Sequence, residues 1–140
     1  MRENAQAIPF RIAIFILACI PVSAGAAGVV FGAGFPGFDA GSASADLDSH
    51  FRFLSGVFLA VGIGFWTCAL NRGNAAARFN LLVVLVFAGG VARLISLLHF
   101  GAPSAGHMAG LAMELIVVPL LALWQHQRGC LRRPAAWAGL

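Results

Sequence analysis

The chain has few charged residues and no lysine. Charged residues make up 10% of its 140 residues, hydrophobic residues make up 60%, and the mean hydropathy is +0.88. Soluble domains carry about 25% charged residues, and a soluble core of this size could not bury so much apolar surface. The composition therefore excludes an ordinary soluble domain and predicts an integral membrane protein.

The basic residues do not form the surface that a nucleic-acid-binding protein uses. The net charge is +4 and the sequence pI ≈ 10.3, yet all nine basic residues are arginine. They form no basic stripe with interleaved aromatic residues. All but Arg93 lie outside the apolar runs, where arginines act as topology signals. We therefore expect the lipid bilayer as a partner and no nucleic acid.

Recognisable catalytic and metal-binding motifs are also missing. The three cysteines, Cys19, Cys68 and Cys130, are an odd number with no CxxC or Cys/His pattern, which argues against a disulfide framework or a structural zinc. The sequence has no GxSxG, HExxH, P-loop or dinucleotide fingerprint. We therefore expect no cofactor and favour a non-enzymatic role.

Four apolar runs dominate the sequence, at residues 12–34, 53–70, 81–98 and 108–124. Each approaches or exceeds the ~17–25 residues of a membrane-spanning helix. Only Arg93 and Glu114 place a charge inside a run. The runs predict an all-α bundle of four transmembrane helices, at about residues 9–34, 50–70, 79–99 and 107–126, forming one domain with a tail at 127–140.

The arginines predict the orientation of these helices. Arg52 alone lies at one surface, whereas seven arginines lie in the head, the second connector and the tail. These seven are Arg2, Arg11, Arg72, Arg78, Arg128, Arg132 and Arg133. By the positive-inside rule, both termini should be cytoplasmic.

The first run has a second interpretation, as a secretory signal with Ala24-Gly25-Ala26 as the cleavage box. However, apolar residues continue through VVFGAG without a polar break. We therefore favour an uncleaved membrane helix.

Arg93 and Glu114 are expected to form an ion pair inside the membrane. A charged side chain at the bilayer centre costs about 2.5–3.5 kcal/mol on insertion scales. Both residues lie ~9–11 Å below the same predicted surface, and the connector between their helices is short. Small neighbours should let the two helices approach closely. These neighbours are Gly89, Gly90, Ser96 and Gly110.

The stretch LDSHFRFLSG begins a polar ridge on the second helix. Asp48 and Arg52 have the i,i+4 spacing that supports a helical ion pair. We predict that Asp48, Arg52, Arg93, Ser96 and Glu114 form one polar cluster in the outer half of the bundle. The cluster could be a clasp that fixes helix register, a cavity that binds a lipid headgroup or small anion, or a proton relay through Glu114.

Three histidines are weak metal candidates. His50, His99 and His107 begin or end three helices at the same predicted surface. Imidazoles bind zinc and copper, but the spacing matches no recognised signature. Histidines are also common at membrane interfaces, and we expect no metal.

The chain resembles a bacterial family of small four-helix membrane proteins, the domain of unknown function numbered 4345. Three segments carry the resemblance: LDSHFRFLSGVFLAVGIGFW, GGVARLISLLHFGAP and LAMELIVVPLLALWQ. The first helix resembles that of the family only in its general apolar character. The family pattern implies special roles for Asp48, Arg52, Arg93, Ser96, Glu114 and Pro119. The family's Pro-rich third connector is reduced here to Gly101-Ala102-Pro103, followed by Ser104.

The resemblance implies a fold and a set of residues, and it implies a bacterial inner membrane, but it supplies no reaction. Our leading hypothesis is a multi-pass inner-membrane protein that binds a lipid-like or small anionic ligand, or serves as an accessory subunit. A small transporter or membrane enzyme using Arg52, Arg93 and Glu114 is the alternative. Small-residue helix faces also suit a homo-oligomer or a membrane partner.

Overall fold

Helices account for nearly all of the described chain. The computed structural model describes residues 7–34, 44–71 and 73–131. Helix α1 spans Ala7–Phe31 and continues as a 3₁₀ turn at Gly32–Gly34; α2 spans Ala45–Ala69, and α3 spans Ala75–Phe100. Helix α4 (Ala105–Ala112), a π turn (Met113–Val117) and α5 (Val118–Arg128) follow one another without a break. No strand occurs in these ranges.

Four helical spans are long and apolar enough to cross a membrane. They are Ala7–Gly34, Ala45–Ala69, Ala75–Phe100 and Ala105–Gln127. At most 22% of the most apolar window in any span is buried by the rest of the protein, so most apolar side chains face outward, as expected where lipid is the solvent. The prediction of an all-helical chain with four such spans is confirmed within the described residues.

Two of the helices begin before their apolar runs, each after a polar capping residue. The Ser44 hydroxyl accepts a hydrogen bond from the Leu47 N–H (3.1 Å), so α2 begins at Ala45. The Asn74 side chain accepts one from the Ala77 N–H (3.4 Å), so α3 begins at Ala75. Capping side chains satisfy N–H groups that have no partner in the first helical turn.

The chain divides into two compact units. We call Arg11–Leu70 the hairpin unit, and Met1–Phe10 with Asn71–Leu140 the second unit. Each is described by itself below. The single-domain organisation expected from the sequence stays a prediction.

In the hairpin unit, α1 and α2 run antiparallel along a seam of glycines. The Trp66 Nε1–H donates to the Phe15 carbonyl (3.1 Å), and the Arg11 Nε–H donates to the Ala69 carbonyl (2.6 Å). Further along, Gly25 faces the Leu59 backbone and Gly28 faces Ser55. A Cβ at either glycine would overlap these neighbours, so glycine is what lets the two helices lie so close.

In the second unit, α3 is antiparallel to the span formed by α4, the π turn and α5. At one end, the Phe10 ring packs edge-on against Phe79 (5.6 Å between centroids) and Trp124 (5.2 Å). The Gln125 side chain accepts a hydrogen bond from the Leu131 N–H (3.1 Å). Phe10 and Phe79 are fully buried, so this aromatic group anchors one end of the helix pair, and the polar site lies farther along it.

Candidate functional site

Arg93 and Glu114 meet within the apolar spans of the second unit. The Arg93 Nε–H donates a hydrogen bond to Glu114 Oε1 (3.1 Å), and the same nitrogen lies 3.1 Å from Oε2. The Glu114 side chain is only 10% exposed, whereas that of Arg93 is 39% exposed. The carboxylate is therefore buried, and the guanidinium lies across it with one side open.

This pairing leaves a hydrogen-bond acceptor of Glu114 and several hydrogen-bond donors of Arg93 without partners among the described residues. Glu114 Oε2 is buried and accepts no hydrogen bond, because the Arg93 Nε–H is directed to Oε1. Within the described ranges, the Arg93 guanidinium forms no hydrogen bond other than the one to Glu114. The four N–H groups on its two terminal nitrogens are thus free to donate. The site offers an acceptor beside a set of donors.

A π turn presents Glu114 to α3. The Val118 N–H bonds to the Met113 carbonyl, five residues back, which widens the helix by one residue over Met113–Val117. Pro119 lies two residues after the turn, and it has no N–H with which to restore the regular pattern. π turns of this kind occur frequently at functional sites. Our sequence reasoning missed this turn, although a proline within an apolar run was the signal that could have indicated it.

Gly90 brings α3 against this turn. A Cβ at Gly90 would lie 2.8 Å from Leu115 Cδ2 and 2.9 Å from Glu114 Cβ, closer than real side chains approach. The helices can therefore meet at this level only because position 90 has no side chain. Gly90 thus has the close-packing role that we expected from its place beside Arg93.

The other small residues near the pair are less closely packed than Gly90. Among the described residues, a Cβ at Gly89 or Gly110 would meet no atom of another helix within 4 Å, and Ser96 is exposed and bonds to neither charged residue. The expectation that these three also serve close helix approach stays a prediction. Gly89 and Gly110, each one turn from a charged residue, leave space beside the ion pair.

Asp48 and Arg52 fasten the end of α1 in the hairpin unit. Asp48 Oδ1 accepts a hydrogen bond from the Ala33 N–H (2.7 Å), and Oδ2 accepts one from Arg52 Nε (2.8 Å). Arg52 Nη1 donates to the carbonyls of Val29 (2.6 Å) and Val30 (3.1 Å). A cation is favourable at the carbonyl end of a helix. We call this arrangement the Asp48/Arg52 clasp.

A comparison with protein families covers most of the chain, including both ion pairs. The family described as Domain of unknown function (DUF4345) matches residues 9–125. The chain belongs to this family. The resemblance seen in the sequence is thereby confirmed, and no curated protein or solved structure matches the chain.

Of the predicted site residues, this DUF4345 protein brings together Arg93 with Glu114, and Asp48 with Arg52. The two pairs lie in different units, so the prediction that all of them form one polar cluster stays a prediction. His50, His99 and His107 are all exposed, and His107 Nδ1 lies 2.9 Å from Ser104 Oγ. Among the described residues, no three His, Cys, Asp or Glu side chains are grouped to hold a metal ion.

Proposed function

We propose that this DUF4345 protein is a multi-pass membrane protein that binds a polar ligand at the Arg93/Glu114 pair. The ligand bears a phosphate or carboxylate, which the free edge of the Arg93 guanidinium recognises. The observation that carries this proposal is that Arg93 uses a single N–H to hold Glu114 and keeps its two terminal nitrogens unbonded within the described residues. A guanidinium edge with two free nitrogens matches the geometry of two oxygens of an anion.

The surroundings make unused donors costly unless they are engaged. Arg93 lies about two turns before the end of α3, ~10 Å along its axis, among exposed apolar residues such as Leu94 and Ile95. A polar group left unpaired in hydrocarbon costs several kcal/mol. A salt bridge that served packing alone could engage both carboxylate oxygens with two guanidinium nitrogens. Here Nε alone donates to Oε1, and Oε2 accepts no hydrogen bond.

The Asp48/Arg52 clasp supports a structural role for those two residues. Arg52 already donates to two α1 carbonyls and to Asp48, so its strongest interactions lie within the hairpin unit. The proposed binding site therefore rests on Arg93 and Glu114 alone. The competing hypothesis, a transporter or enzyme that uses Arg52 as well, requires Arg52 to give up these bonds.

We further propose that the protein lies in a bacterial inner membrane with both termini in the cytoplasm. The orientation is supported by the strongly one-sided distribution of arginines outside the apolar spans, and the bacterial inner membrane is what the family resemblance implies. Exposed small residues on α3 and α4, such as Gly89 and Gly106, would also suit a second copy or an accessory membrane partner.

The test is ligand retention by the purified protein. Wild-type protein and the Arg93→Gln variant are extracted in mild detergent, incubated with phospholipids, and analysed by native mass spectrometry. We expect the variant to retain roughly tenfold less phospholipid, since a hydrogen bond to a charged group is worth about 1.5–3 kcal/mol. Asn80→Ala, an exposed polar change at the other end of α3, is the matched control.

Inorganic phosphate and acetate serve as small competitors, which separates a lipid headgroup from a free anion as the ligand. Circular dichroism and gel filtration establish that each variant is folded. Equal retention by wild type and a folded Arg93→Gln variant would refute binding at this site.

A further inference from the structure

We infer that the ligand at the Arg93/Glu114 site is a zwitterionic amphiphile, with an N–H-bearing ammonium group beside its phosphate. This inference rests on the proposed function and goes beyond it, because it names the headgroup chemistry. It is drawn from the Glu114 carboxylate, which recognition of a simple anion by Arg93 would not require.

The free groups of the site form a complementary pair. The open side of the Arg93 guanidinium supplies donors and positive charge, whereas Glu114 Oε2 supplies a buried acceptor with no hydrogen bond. Arg93 Nε lies 3.1 Å from Oε2, so the acceptor and the donors are adjacent. Because Oε2 is fully buried, a ligand donor reaches it only when the partly exposed Arg93 side chain moves aside. A ligand that satisfies both groups must carry an acceptor and a donor a few ångströms apart. A phosphate linked through two carbons to an ammonium group has this spacing.

Charge balance points to the same class of ligand. Arg93 and Glu114 neutralise each other, so a simple anion would add a net negative charge to an apolar region and lie close to the Glu114 carboxylate. Two like charges a few ångströms apart repel strongly where the dielectric constant is low. A zwitterion adds no net charge, because its ammonium group offsets its phosphate. The ammonium group also places a donor at Oε2, where an anion would place a second acceptor.

The surroundings of the pair favour an amphiphile over a soluble zwitterion. Gly89 lies one turn below Arg93 on α3, and a Cβ there would meet no atom within 4 Å. Its exposed neighbours on α3 are the apolar residues Leu85, Ala88 and Ala92. A Cβ at Gly110, one turn from Glu114, would likewise meet no atom of another described helix within 4 Å. A headgroup at the ion pair can therefore continue into an apolar chain alongside Gly89, whereas Gly110 lies on the connector side of the pair and leaves room for the headgroup there.

The experiment uses a ligand series that changes only the number of N–H donors. Dioleoyl phosphatidylethanolamine, its N-methyl and N,N-dimethyl derivatives and dioleoyl phosphatidylcholine are offered in equimolar mixtures to the full-length wild-type protein, with dioleoyl phosphatidic acid as the simple anion. Native mass spectrometry measures the bound fraction of each. We expect phosphatidylethanolamine to be retained about tenfold more than phosphatidylcholine, with the methylated lipids in between and phosphatidic acid below phosphatidylethanolamine.

A variant links this preference to Glu114. Glu114→Gln keeps the shape of the side chain and removes its charge, so we expect the ratio of bound phosphatidylethanolamine to phosphatidylcholine to approach one. Asn80→Ala, an exposed polar change at the other end of α3, should leave the ratio unchanged. The lipid series on wild-type protein gives its answer even if Glu114→Gln does not fold.

The two proposals fail in different ways. Equal binding of all five lipids, lost in Arg93→Gln, would overturn the zwitterion inference and leave the proposed function intact. Preferred binding of phosphatidic acid would do the same. Displacement of the lipid by soluble phosphoethanolamine at equal concentration would overturn the requirement for an amphiphile. An absence of any Arg93-dependent binding would overturn both proposals.

Discussion

At the scale of single residues, the second unit depends on one buried carboxylate and one partly exposed guanidinium. Glu114 is almost fully buried, and Arg93 Nε lies 3.1 Å from both of its oxygens. Breaking a buried ion pair by removing one partner costs about 3–5 kcal/mol when both groups are buried. Because Arg93 is 39% exposed, the cost here should be smaller, about 1–3 kcal/mol.

This geometry predicts the outcome of reversing the pair. Arg93→Glu alone places two carboxylates together, and Glu114→Arg alone places two guanidinium groups together, so each single variant should accumulate poorly in membranes. The double variant restores opposite charges and should recover most of the lost protein, with a coupling energy of about 1–3 kcal/mol in a double-mutant cycle. Folded protein is measured by fluorescence-detected gel filtration. A double variant no better than the worse single one would show that the pair does not stabilise the fold directly.

Comparing substitutions of Asp48 and Asp46 distinguishes the hydrogen bonds of the Asp48/Arg52 clasp from the general effect of a negative charge at the start of a helix. Both residues lie in the first turn of α2, where a negative charge favours the helix equally. Only Asp48 accepts hydrogen bonds from the Ala33 N–H and Arg52. We expect Asp48→Asn to speed amide hydrogen exchange across residues 29–34 several-fold, and Asp46→Asn to leave it nearly unchanged. Exchange is followed by mass spectrometry of peptides from detergent-solubilised protein, and equal effects of the two changes would refute the clasp.

At the scale of helices, glycine substitutions in the hairpin unit can test how closely α1 and α2 must approach each other. A Cβ at Gly25 would lie 2.6 Å from the Leu59 nitrogen and 2.8 Å from its Cα, and backbone atoms cannot move aside as side chains do. Among the described residues, a Cβ at Gly56 would meet Val29 Cγ2 alone, at 3.9 Å. Both positions lie inside helices, so alanine gains the same helix propensity at each, up to about 1 kcal/mol.

The expected effects therefore have opposite signs. Gly25→Ala should destabilise the protein by roughly 1–3 kcal/mol, the usual cost of overpacking, whereas Gly56→Ala should be neutral or slightly stabilising. Thermal unfolding in detergent measures both. A Gly25→Ala variant as stable as Gly56→Ala would mean that the two helices tolerate a wider separation than the structure has.

The helices also show which structural features could be predicted from the sequence. Long apolar runs predict membrane-length helices directly, and an isolated charge in each of two adjacent runs predicts that Arg93 and Glu114 lie together. The π turn could not be predicted from periodicity, because a single widened turn shifts the register by only one residue. The i,i+4 spacing indicated that Asp48 and Arg52 pair, but their bonds to Val29, Val30 and Ala33 depend on how the chain returns after α1, which spacing within α2 does not encode.

At the scale of the whole molecule, membrane orientation decides which leaflet of the bilayer supplies a lipid to the Arg93/Glu114 site. The Arg93/Glu114 pair lies nearer to the α3–α4 connector, residues 101–104, than to the other end of those helices. If both termini are cytoplasmic, this connector faces the opposite side, and a lipid that reaches the pair comes from the outer leaflet. The reverse orientation would give the inner leaflet access instead.

Cysteine labelling decides between the two orientations. In a variant with Cys19, Cys68 and Cys130 replaced by alanine, Ala102→Cys places a thiol in the exposed α3–α4 connector. We expect a membrane-impermeant maleimide to label it in intact cells, because the arginine-poor side should face outward. Ala77→Cys, exposed at the opposite end of α3, is the matched control and should be labelled only after the cells are permeabilised. The reverse pattern would invert the orientation and move the proposed lipid site to the inner leaflet, and labelling of both positions in intact cells would indicate that the protein inserts in both orientations.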